Sequence, residues 1–342
     1  MKFRFLILLA VFILIGCSKN NDEKILNVYN YGDYVDEKIL KMFTNETGIK
    51  INYDTFATSE DAYTKIKNGG TNYDVVIISD YMIERMIKEN LLEPLDFSLI
   101  ENYQFIHSRF KNLSFDPENK FSVSYMWGSV GILYNKTMVD NVHSWKILWD
   151  EKYKNQIFMY DSQRDSIGVA LKKLGYSLNT RDIKELYEAK NELVKQKKIV
   201  QAYVGDAVKD KMIGNEGTLA ISYSGDALFC QSENSDLDYV IPIEGSNLWF
   251  DCAVILKTSC HKSFANLFIN FLCQPQIALM NTQYIGYSTV NSEALKKLPD
   301  EIKNNKIYWP SDEEFSRCEI FHDLGEFIRQ YDIIWTEILA ED

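Results

Sequence analysis

The stretch Tyr73-Asp74-Val75-Val76-Ile77-Ile78 decides the fold class of this 342-residue chain. Four β-branched residues follow Asp74 without a polar interruption. A strand with one face in water alternates polar and apolar side chains, whereas a continuous apolar run is typical of a strand covered on both faces. Such strands belong to parallel sheets flanked by helices, so this stretch predicts an α/β fold.

The residues before this strand predict the rest of one α/β lobe. Apolar periodicity indicates a strand from residue 26, a helix from about Asp36 to a stop at Gly48, a strand over 49–53 and a helix over 62–67. The order strand, helix, strand, helix, strand is typical of a parallel sheet whose helices cover its faces.

The residues after this strand predict a second lobe. The predicted elements are strands over 131–134, 219–223, 239–243 and 250–256, and helices over 166–174, 183–194, 264–272 and 276–282. The chain is long enough for two domains of about 100–200 residues each. Six prolines and no Pro/Gly-rich linker after residue 24 favour two closely joined lobes.

The amino terminus predicts secretion. Lys2 and Arg4 precede an apolar run over residues 5–15. That run is shorter than the ~20 residues of a membrane-spanning helix and has the form of a secretory signal.

The end of the apolar run predicts a lipid anchor. The sequence Leu14-Ile15-Gly16-Cys17 resembles the lipobox of bacterial lipoproteins, in which the cysteine becomes the first mature residue and carries lipid. We therefore expect a signal peptide over 1–16, lipidation of Cys17 and a polar tether over 17–24. The alternative is an ordinary signal peptide in which Cys17 is incidental.

Composition indicates a globular protein with an acidic surface. Hydrophobic residues make up 46% of the chain and aromatic residues 13%, which is enough for a sizeable core. The chain carries 37 basic and 49 acidic residues; without Lys2 and Arg4, 35 basic residues remain and the net charge is −14. Such a surface repels nucleic acid and anionic headgroups and suits a cationic ligand. We expect no nucleic-acid partner.

The sequence offers no catalytic or metal-binding motif. It contains no G-x-S-x-G, H-E-x-x-H or G-x-x-x-x-G-K-[ST], and its four histidines are scattered. Beyond Cys17, five cysteines remain; an odd number cannot all pair within one chain, and no C-x-x-C spacing occurs. The sequence therefore predicts neither an enzyme nor a cofactor.

Aromatic residues stand beside carboxylates where predicted strands end. The groups are Tyr31-Gly32-Asp33-Tyr34, Ser79-Asp80-Tyr81, Tyr223-Ser224-Gly225-Asp226 and Trp249-Phe250-Asp251, together with Asp165 and Tyr287. Ligands of open α/β sheets bind at such strand ends. Rings attract alkylammonium groups by roughly 0.5–2 kcal/mol, and carboxylates form charge-assisted hydrogen bonds with them. The mixture suits an apolar chain that carries ammonium groups.

The chain resembles the spermidine/putrescine-binding proteins of bacterial ABC importers. The similarity runs from about Leu26 to the carboxyl terminus. It is densest over residues 29–35, 43–50, 73–76, 127–129, 170–176 and 285–287. It implies the two-lobed periplasmic-binding-protein fold, in which each lobe has a central β-sheet flanked by helices and crossing strands join the lobes. The expected division is 25–129 and 250–294 for lobe 1, and 130–249 and 295–342 for lobe 2.

The resemblance also implies a ligand-binding set. The family's pocket positions fall on Tyr31, Asp33, Tyr34, Ser79, Tyr81, Ser162, Asp165, Tyr223, Asp226, Trp249, Asp251 and Tyr287. Asp251 is the strongest of these, because an acid within an apolar strand is costly to bury without a partner. Asp165 could instead cap a helix, and Asp33 could belong to a solvated turn.

Departures from the family pattern leave the ligand length open. Spermidine binders have an acid where Ser162 stands, whereas Asp226 matches an acid of putrescine-type relatives. A pocket tryptophan becomes Tyr223, and a glutamine that helps to hold spermidine falls on Phe321.

The implied function is transport. The resemblance predicts an extracytoplasmic, lipid-anchored, monomeric solute-binding protein that captures putrescine or spermidine by lobe closure and delivers it to a membrane ABC permease. One alternative is the same fold with another solute, such as a sugar, an amino acid or ferric iron. Another is a surface adhesin or structural lipoprotein, and an anchored hydrolase is the most remote.

Overall fold

A computed structural model describes residues 24–341 of the chain. The predicted signal peptide, the lipobox and all of the tether except Lys24 lie outside the described residues. Within 24–341, no helix combines the length and the apolar character that a membrane span requires.

Residues 24–341 contain twelve strands, thirteen α-helices and five short 3-10 helices. The strands are β1 Ile25–Tyr31, β2 Lys50–Phe56, β3 Val75–Ser79, β4 Leu92–Glu93, β5 Ser122–Asn135, β6 Ile157–Tyr160, β7 Ala202–Val204, β8 Leu219–Tyr223, β9 Leu237–Val240, β10 Asn247–Leu256, β11 Ser288–Thr289 and β12 Glu319–Ile320. The helices are α1 Glu37–Thr47, α2 Ser59–Lys67, α3 Asp80–Lys88, α4 Gln163–Leu174, α5 Ile183–Lys197, α6 Val208–Ile213, α7 Ser224–Glu233, α8 Lys262–Leu272, α9 Pro275–Ile285, α10 Ser292–Lys297, α11 Asp300–Lys303, α12 Asp312–Ser316 and α13 Ile328–Ala340.

Local sequence explains where the first helices begin and end. The Asp36 carboxylate accepts a hydrogen bond from the Lys38 backbone N–H and so caps α1, and Gly48 ends the helix with φ of 72°. Thr58 caps α2 in the same way, through the backbone N–H of Asp61. These caps place the helices directly after the strands that they cover.

Two long strands connect the lobes. The strand order along the sheet is β2-β1-β3-β10-β5-β8-β6-β7. Strands β1, β2 and β3 are parallel, and β10 runs antiparallel to both β3 and β5. Strand β5 pairs with β10 up to Ser129 and with β8 from Val130 onward, so it crosses from one lobe to the other. These features confirm the predicted two-lobed α/β fold.

Buried apolar side chains form two clusters, one in each lobe. The first cluster includes Phe43, Ile77 and Phe250, and the second includes Trp145 and Phe158. Trp249 packs against both clusters, at the boundary between the lobes.

The carboxyl-terminal segment contacts both lobes. We predicted that residues 295–342 belong to lobe 2; within this segment, Tyr331 lies in the second cluster. Trp309 and Phe315, however, pack against the first cluster. The segment returns to the second lobe after β12, which pairs with the start of β10.

Several predicted strands differ in their limits from the observed ones, and two of the differences have a clear cause. The strand predicted over 239–243 is shifted to Leu237–Val240. Pro242 has no backbone N–H to donate, so it cannot continue the ladder. The strand predicted over 131–134 is the second half of the fourteen-residue β5, because the run of apolar and small residues continues back to Ser122.

Candidate functional site

A cleft of about 1100 Å³ lies between the two lobes. Ten of the twelve predicted ligand-binding residues line it. They are Tyr31, Tyr34, Ser79, Tyr81, Ser162, Asp165, Tyr223, Trp249, Asp251 and Tyr287. Residues far apart in the chain therefore meet at one surface.

The carboxyl ends of β1 and β3 supply one polar corner of the cleft. Both strands are parallel and adjacent, so Tyr31 and Ser79 end at the same edge of the sheet. The Tyr31 hydroxyl lies 2.6 Å from Ser59 Oγ and 2.7 Å from Ser79 Oγ. The two serine hydroxyls are 2.9 Å apart. This closed network fixes the Tyr31 ring on the cleft wall.

Asp251 projects into the cleft from the middle of β10. It lies opposite Ser79 in the antiparallel pair β10–β3 and is 8% exposed. Tyr34 Oη donates a hydrogen bond of 2.7 Å to Asp251 Oδ2. Burial raises the pKa of Asp251 to about 6, although the hydrogen bond from Tyr34 acts in the opposite direction.

A second buried acid, Asp80, lies beside Asp251. It accepts hydrogen bonds from the backbone N–H groups of Phe250, at 2.9 Å, and Tyr81, at 2.7 Å. Burial raises its pKa, while these two hydrogen bonds favour the charged form. Asp80 therefore attaches the start of α3 to β10, next to the residues that line the cleft.

Asp165 is the main acid of the second lobe. Ser162 Oγ donates to Asp165 Oδ2 at 2.7 Å, and Tyr223 Oη donates to the same atom at 2.8 Å. The other oxygen, Oδ1, is buried without a partner. Burial raises the pKa of this carboxyl group. The residue that caps α4 is Ser162, so the alternative role of Asp165 as the cap is wrong.

An aromatic wall connects the two acids. The rings of Trp249 and Tyr287 meet edge to face, with centroids 5.0 Å apart. Tyr223 contacts Trp249 at 6.2 Å, and Tyr34 contacts Tyr287 at 6.2 Å. Glycine at position 128 makes room for the tryptophan, because a Cβ there would lie 2.5 Å from the Trp249 ring.

The structure places neither Asp33 nor Asp226 in the lining of the cleft. Asp33 is exposed in a turn with φ of 52°, which directs its carboxylate away while Tyr31 and Tyr34 enter the cleft. Asp226 is mostly buried and forms an ion pair with Lys209 at 3.6 Å. Burial raises the pKa of Asp226, and the nearby Lys209 opposes this effect.

Several lining residues were missed by the sequence prediction. They include Glu60, Arg164, Asn247 and His322. Arg164 packs over the Phe321 ring at 4.2 Å and donates to the carbonyl oxygen of His322. The sequence did contain an indication for Asn247, since it precedes Trp249 by two residues on a strand and must share its face.

Within 24–341, no group of three or more histidine, cysteine, aspartate or glutamate side chains is placed to hold a metal ion.

Comparison with known sequences identifies solute-binding proteins. The family profile of the bacterial extracellular solute-binding proteins matches residues 71–317. The spermidine/putrescine-binding periplasmic protein of Escherichia coli is 34% identical, over 94% of this chain and 93% of that protein. The putrescine-binding periplasmic protein SpuD of Pseudomonas aeruginosa is 30% identical, over 94% of each chain.

Comparison with solved structures gives the same fold. The spermidine/putrescine ABC transporter substrate-binding protein PotD of Streptococcus pneumoniae superposes with a TM-score of 0.85 and 43% identity, over 93% of this chain and 99% of that chain. The TpPotD lipoprotein of Treponema pallidum superposes with a TM-score of 0.82 and 26% identity, over 92% and 99%.

Proposed function

The chain belongs to the bacterial extracellular solute-binding protein family, and we propose that the solute it binds is a polyamine, putrescine or spermidine. The observation that carries the proposal is a pair of buried acids, Asp251 in the first lobe and Asp165 in the second, on one aromatic-walled cleft. Within the described residues, Asp251 has no lysine or arginine partner, and at Asp165 the nearby Arg164 guanidinium acts to lower the pKa that burial raises. Buried carboxylates need such partners, and ammonium groups of a ligand supply them.

The relatives support this choice of solute. Two proteins that match over 94% of this chain are named for binding spermidine and putrescine, or putrescine. The cleft also argues against an uncharged solute, because a sugar would leave the buried Asp251 carboxylate without a positive charge.

The proposed mechanism is closure of the lobes over the ligand. Lobe 1, residues 25–129 and 250–294, offers Asp251, and lobe 2, residues 130–249 and 295–342, offers Asp165. A ligand that contacts both lobes binds the closed form more tightly than the open form, and so shifts the population toward closure. The closed monomer then presents both lobe surfaces to the membrane permease of an ABC importer.

We place the protein outside the cytoplasm, attached to a membrane through lipid on Cys17. The family is extracellular, and a relative with 26% identity is described as a lipoprotein. Replacement Cys17→Ser should release the protein from membranes, which fractionation of cells expressing each form measures. Membrane retention of the serine variant would exclude Cys17 as the anchor.

A thermal screen of the unlipidated protein tests the choice of solute. A ligand at 100 times its Kd stabilises the native state by about 2.7 kcal/mol, so putrescine or spermidine should raise the Tm clearly. Cadaverine, amino acids and sugars serve as comparisons. A sugar or an amino acid that raises the Tm, while both polyamines leave it unchanged, would refute polyamine binding.

A further inference from the structure

Asn247 is the buried polar side chain of the cleft for which the fold offers no role. It lines the cleft and is only 6% exposed. Its Oδ1 atom is buried without a hydrogen-bond partner. Removing such an oxygen from water without a replacement hydrogen bond is costly, so an unpartnered carboxamide in a protein interior calls for an explanation.

The position of Asn247 on β10 supplies that explanation. Alternate residues of a strand share one face, so Asn247, Trp249 and Asp251 form a row along the cleft. At about 3.3 Å per residue the row extends over roughly 13 Å. It presents a carboxamide, an aromatic ring and a carboxylate in sequence, which is an order suited to an extended aliphatic amine.

We infer that Asn247 is a third amine acceptor and that it makes this cleft distinguish a triamine from a diamine. The inference rests on the proposed polyamine function. The two ammonium groups of a diamine satisfy Asp251 and Asp165, since both oxygens of the third buried acid, Asp80, already accept the backbone N–H groups of Phe250 and Tyr81. A triamine brings one further amine, which donates to the carboxamide oxygen of Asn247. A half-turn of the amide exchanges its oxygen and nitrogen, so the oxygen can face the cleft without any backbone movement.

Calorimetric titration of Asn247→Leu with spermidine and with putrescine tests this assignment. Leucine keeps the branching and the number of side-chain heavy atoms and removes the acceptor. The affinity for spermidine should fall by about 10- to 100-fold, the usual loss for a hydrogen bond to a charged group. The affinity for putrescine should change by less than about threefold. Equal losses for both ligands, or no loss for spermidine, would overturn the assignment.

The thermal stability of the free variant distinguishes a ligand-binding role of Asn247 from a structural role. Because Oδ1 is buried without a hydrogen-bond partner, Asn247→Leu should leave the Tm of the free protein unchanged or raise it. The matched control is Asn266→Leu on α8. Asn266 is equally buried but accepts from the Asp96 N–H and donates to the Lys262 carbonyl, so its replacement should lower the Tm and preserve both affinities. A lower Tm for Asn247→Leu would overturn the inference.

A second variant keeps an oxygen at the position. Asn247→Asp should bind spermidine at least as tightly as the natural chain, because an acceptor remains. A loss as large as that of Asn247→Leu would show that the missing oxygen is not the cause. If the natural chain binds neither polyamine, the proposed function itself fails, and that result is distinct from failure of the Asn247 assignment.

Discussion

Asp251 is part of the buried structure of β10 and also lies on the wall of the proposed ligand-binding cleft. Its carboxylate is buried on the cleft wall and has Tyr34 as its hydrogen-bond donor. Burial alone would favour the neutral acid, which explains why its pKa is raised to about 6. An ammonium ligand reverses this preference, because a positive charge nearby stabilises the carboxylate.

We predict that polyamine affinity falls as the pH drops below about 6, where Asp251 becomes protonated. Binding near that pH should release a proton, which calorimetry in buffers of different ionisation enthalpy detects. The stability of the free protein should show the opposite trend. A raised pKa contributes stability that is fully present below 3.8, the unfolded value, and lost as the pH rises through about 6. A polyamine affinity that stays constant from pH 7 to 5 would contradict the predicted role of Asp251 in binding.

Replacement of Asp251 by asparagine should weaken polyamine binding by ~2–5 kcal/mol, because it leaves an ammonium group of the ligand without its charged partner. It should also abolish the pH dependence near 6. Titration calorimetry measures both effects. The comparison variant is Asp33→Asn, since Asp33 is exposed outside the cleft and asparagine tolerates its φ of 52°. Equal losses in the two variants would show that Asp33 also contacts the ligand.

Among the secondary-structure elements, the local ones could be predicted from the sequence. Helix α1 begins after Asp36 and ends at Gly48 as expected, because capping residues act on their own neighbours. Most strand ends were also predicted, and ten of the twelve residues expected to bind the ligand line the cleft. Alternation along β10 could further have indicated Asn247, which precedes Trp249 by two residues.

Turn geometry and distant contacts could not be predicted in this way. Asp33 and Tyr34 are adjacent, yet a left-handed backbone at Asp33 sends one outward and the other inward. Asp80 holds the backbone of Phe250, 170 residues away, through a hydrogen bond that no local pattern encodes. The packing of Trp309 against the first cluster depends in the same way on the assembled fold.

The start of α7 controls the position of Tyr287. Gly225 touches this ring so closely that a Cβ at position 225 would overlap it. We predict that Gly225→Ala displaces Tyr287, costs about 1–3 kcal/mol of stability and weakens polyamine binding. The matched control is Gly205→Ala, because a Cβ at Gly205 meets no atom within 4 Å. Thermal unfolding and polyamine titration of both variants measure these two effects. Equal stability and equal polyamine affinity of the two variants would contradict the prediction.

At the scale of the whole molecule, a group of polar residues connects the lobes beside the cleft. Glu84 Oε2 on α3 lies 2.9 Å from His322 Nδ1 and accepts the Asp323 N–H at 2.9 Å. Lys88 pairs with Glu84 at 2.8 Å and with Asp323 at 3.2 Å. The segment that holds His322 is attached to the second lobe, because Arg164 donates to the His322 carbonyl. We call Glu84, Lys88, His322 and Asp323 the interlobe clasp.

The clasp should favour closure of the cleft, and within it Glu84 and Lys88 lie outside the cleft lining. Glu84→Gln removes the negative charge, so the open form should gain population and polyamine affinity should fall modestly. Partly exposed ion pairs contribute roughly 0.2–1 kcal/mol, which corresponds to less than about tenfold. Small-angle scattering should report a larger radius of gyration for the free variant. Glu46→Gln, an exposed change on α1, is the control. Faster ligand release without any change in the open population would refute this role.

Glu84 of the clasp and Asp251 should respond to different pH ranges. Burial opposes ionisation of Glu84, but hydrogen bonds from His322 and Lys88 outweigh it and hold its pKa at about 2. A lowered pKa contributes stability that is present above 4.5, the unfolded value, and lost as the pH falls through about 2. Between pH 7 and 5 the Glu84 carboxylate therefore stays charged while Asp251 titrates. Polyamine affinity should fall over that pH range, while the radius of gyration of the free protein should not increase. An increase in the radius of gyration would indicate that the pH effect arises from opening of the lobes and not from titration of Asp251 in the cleft.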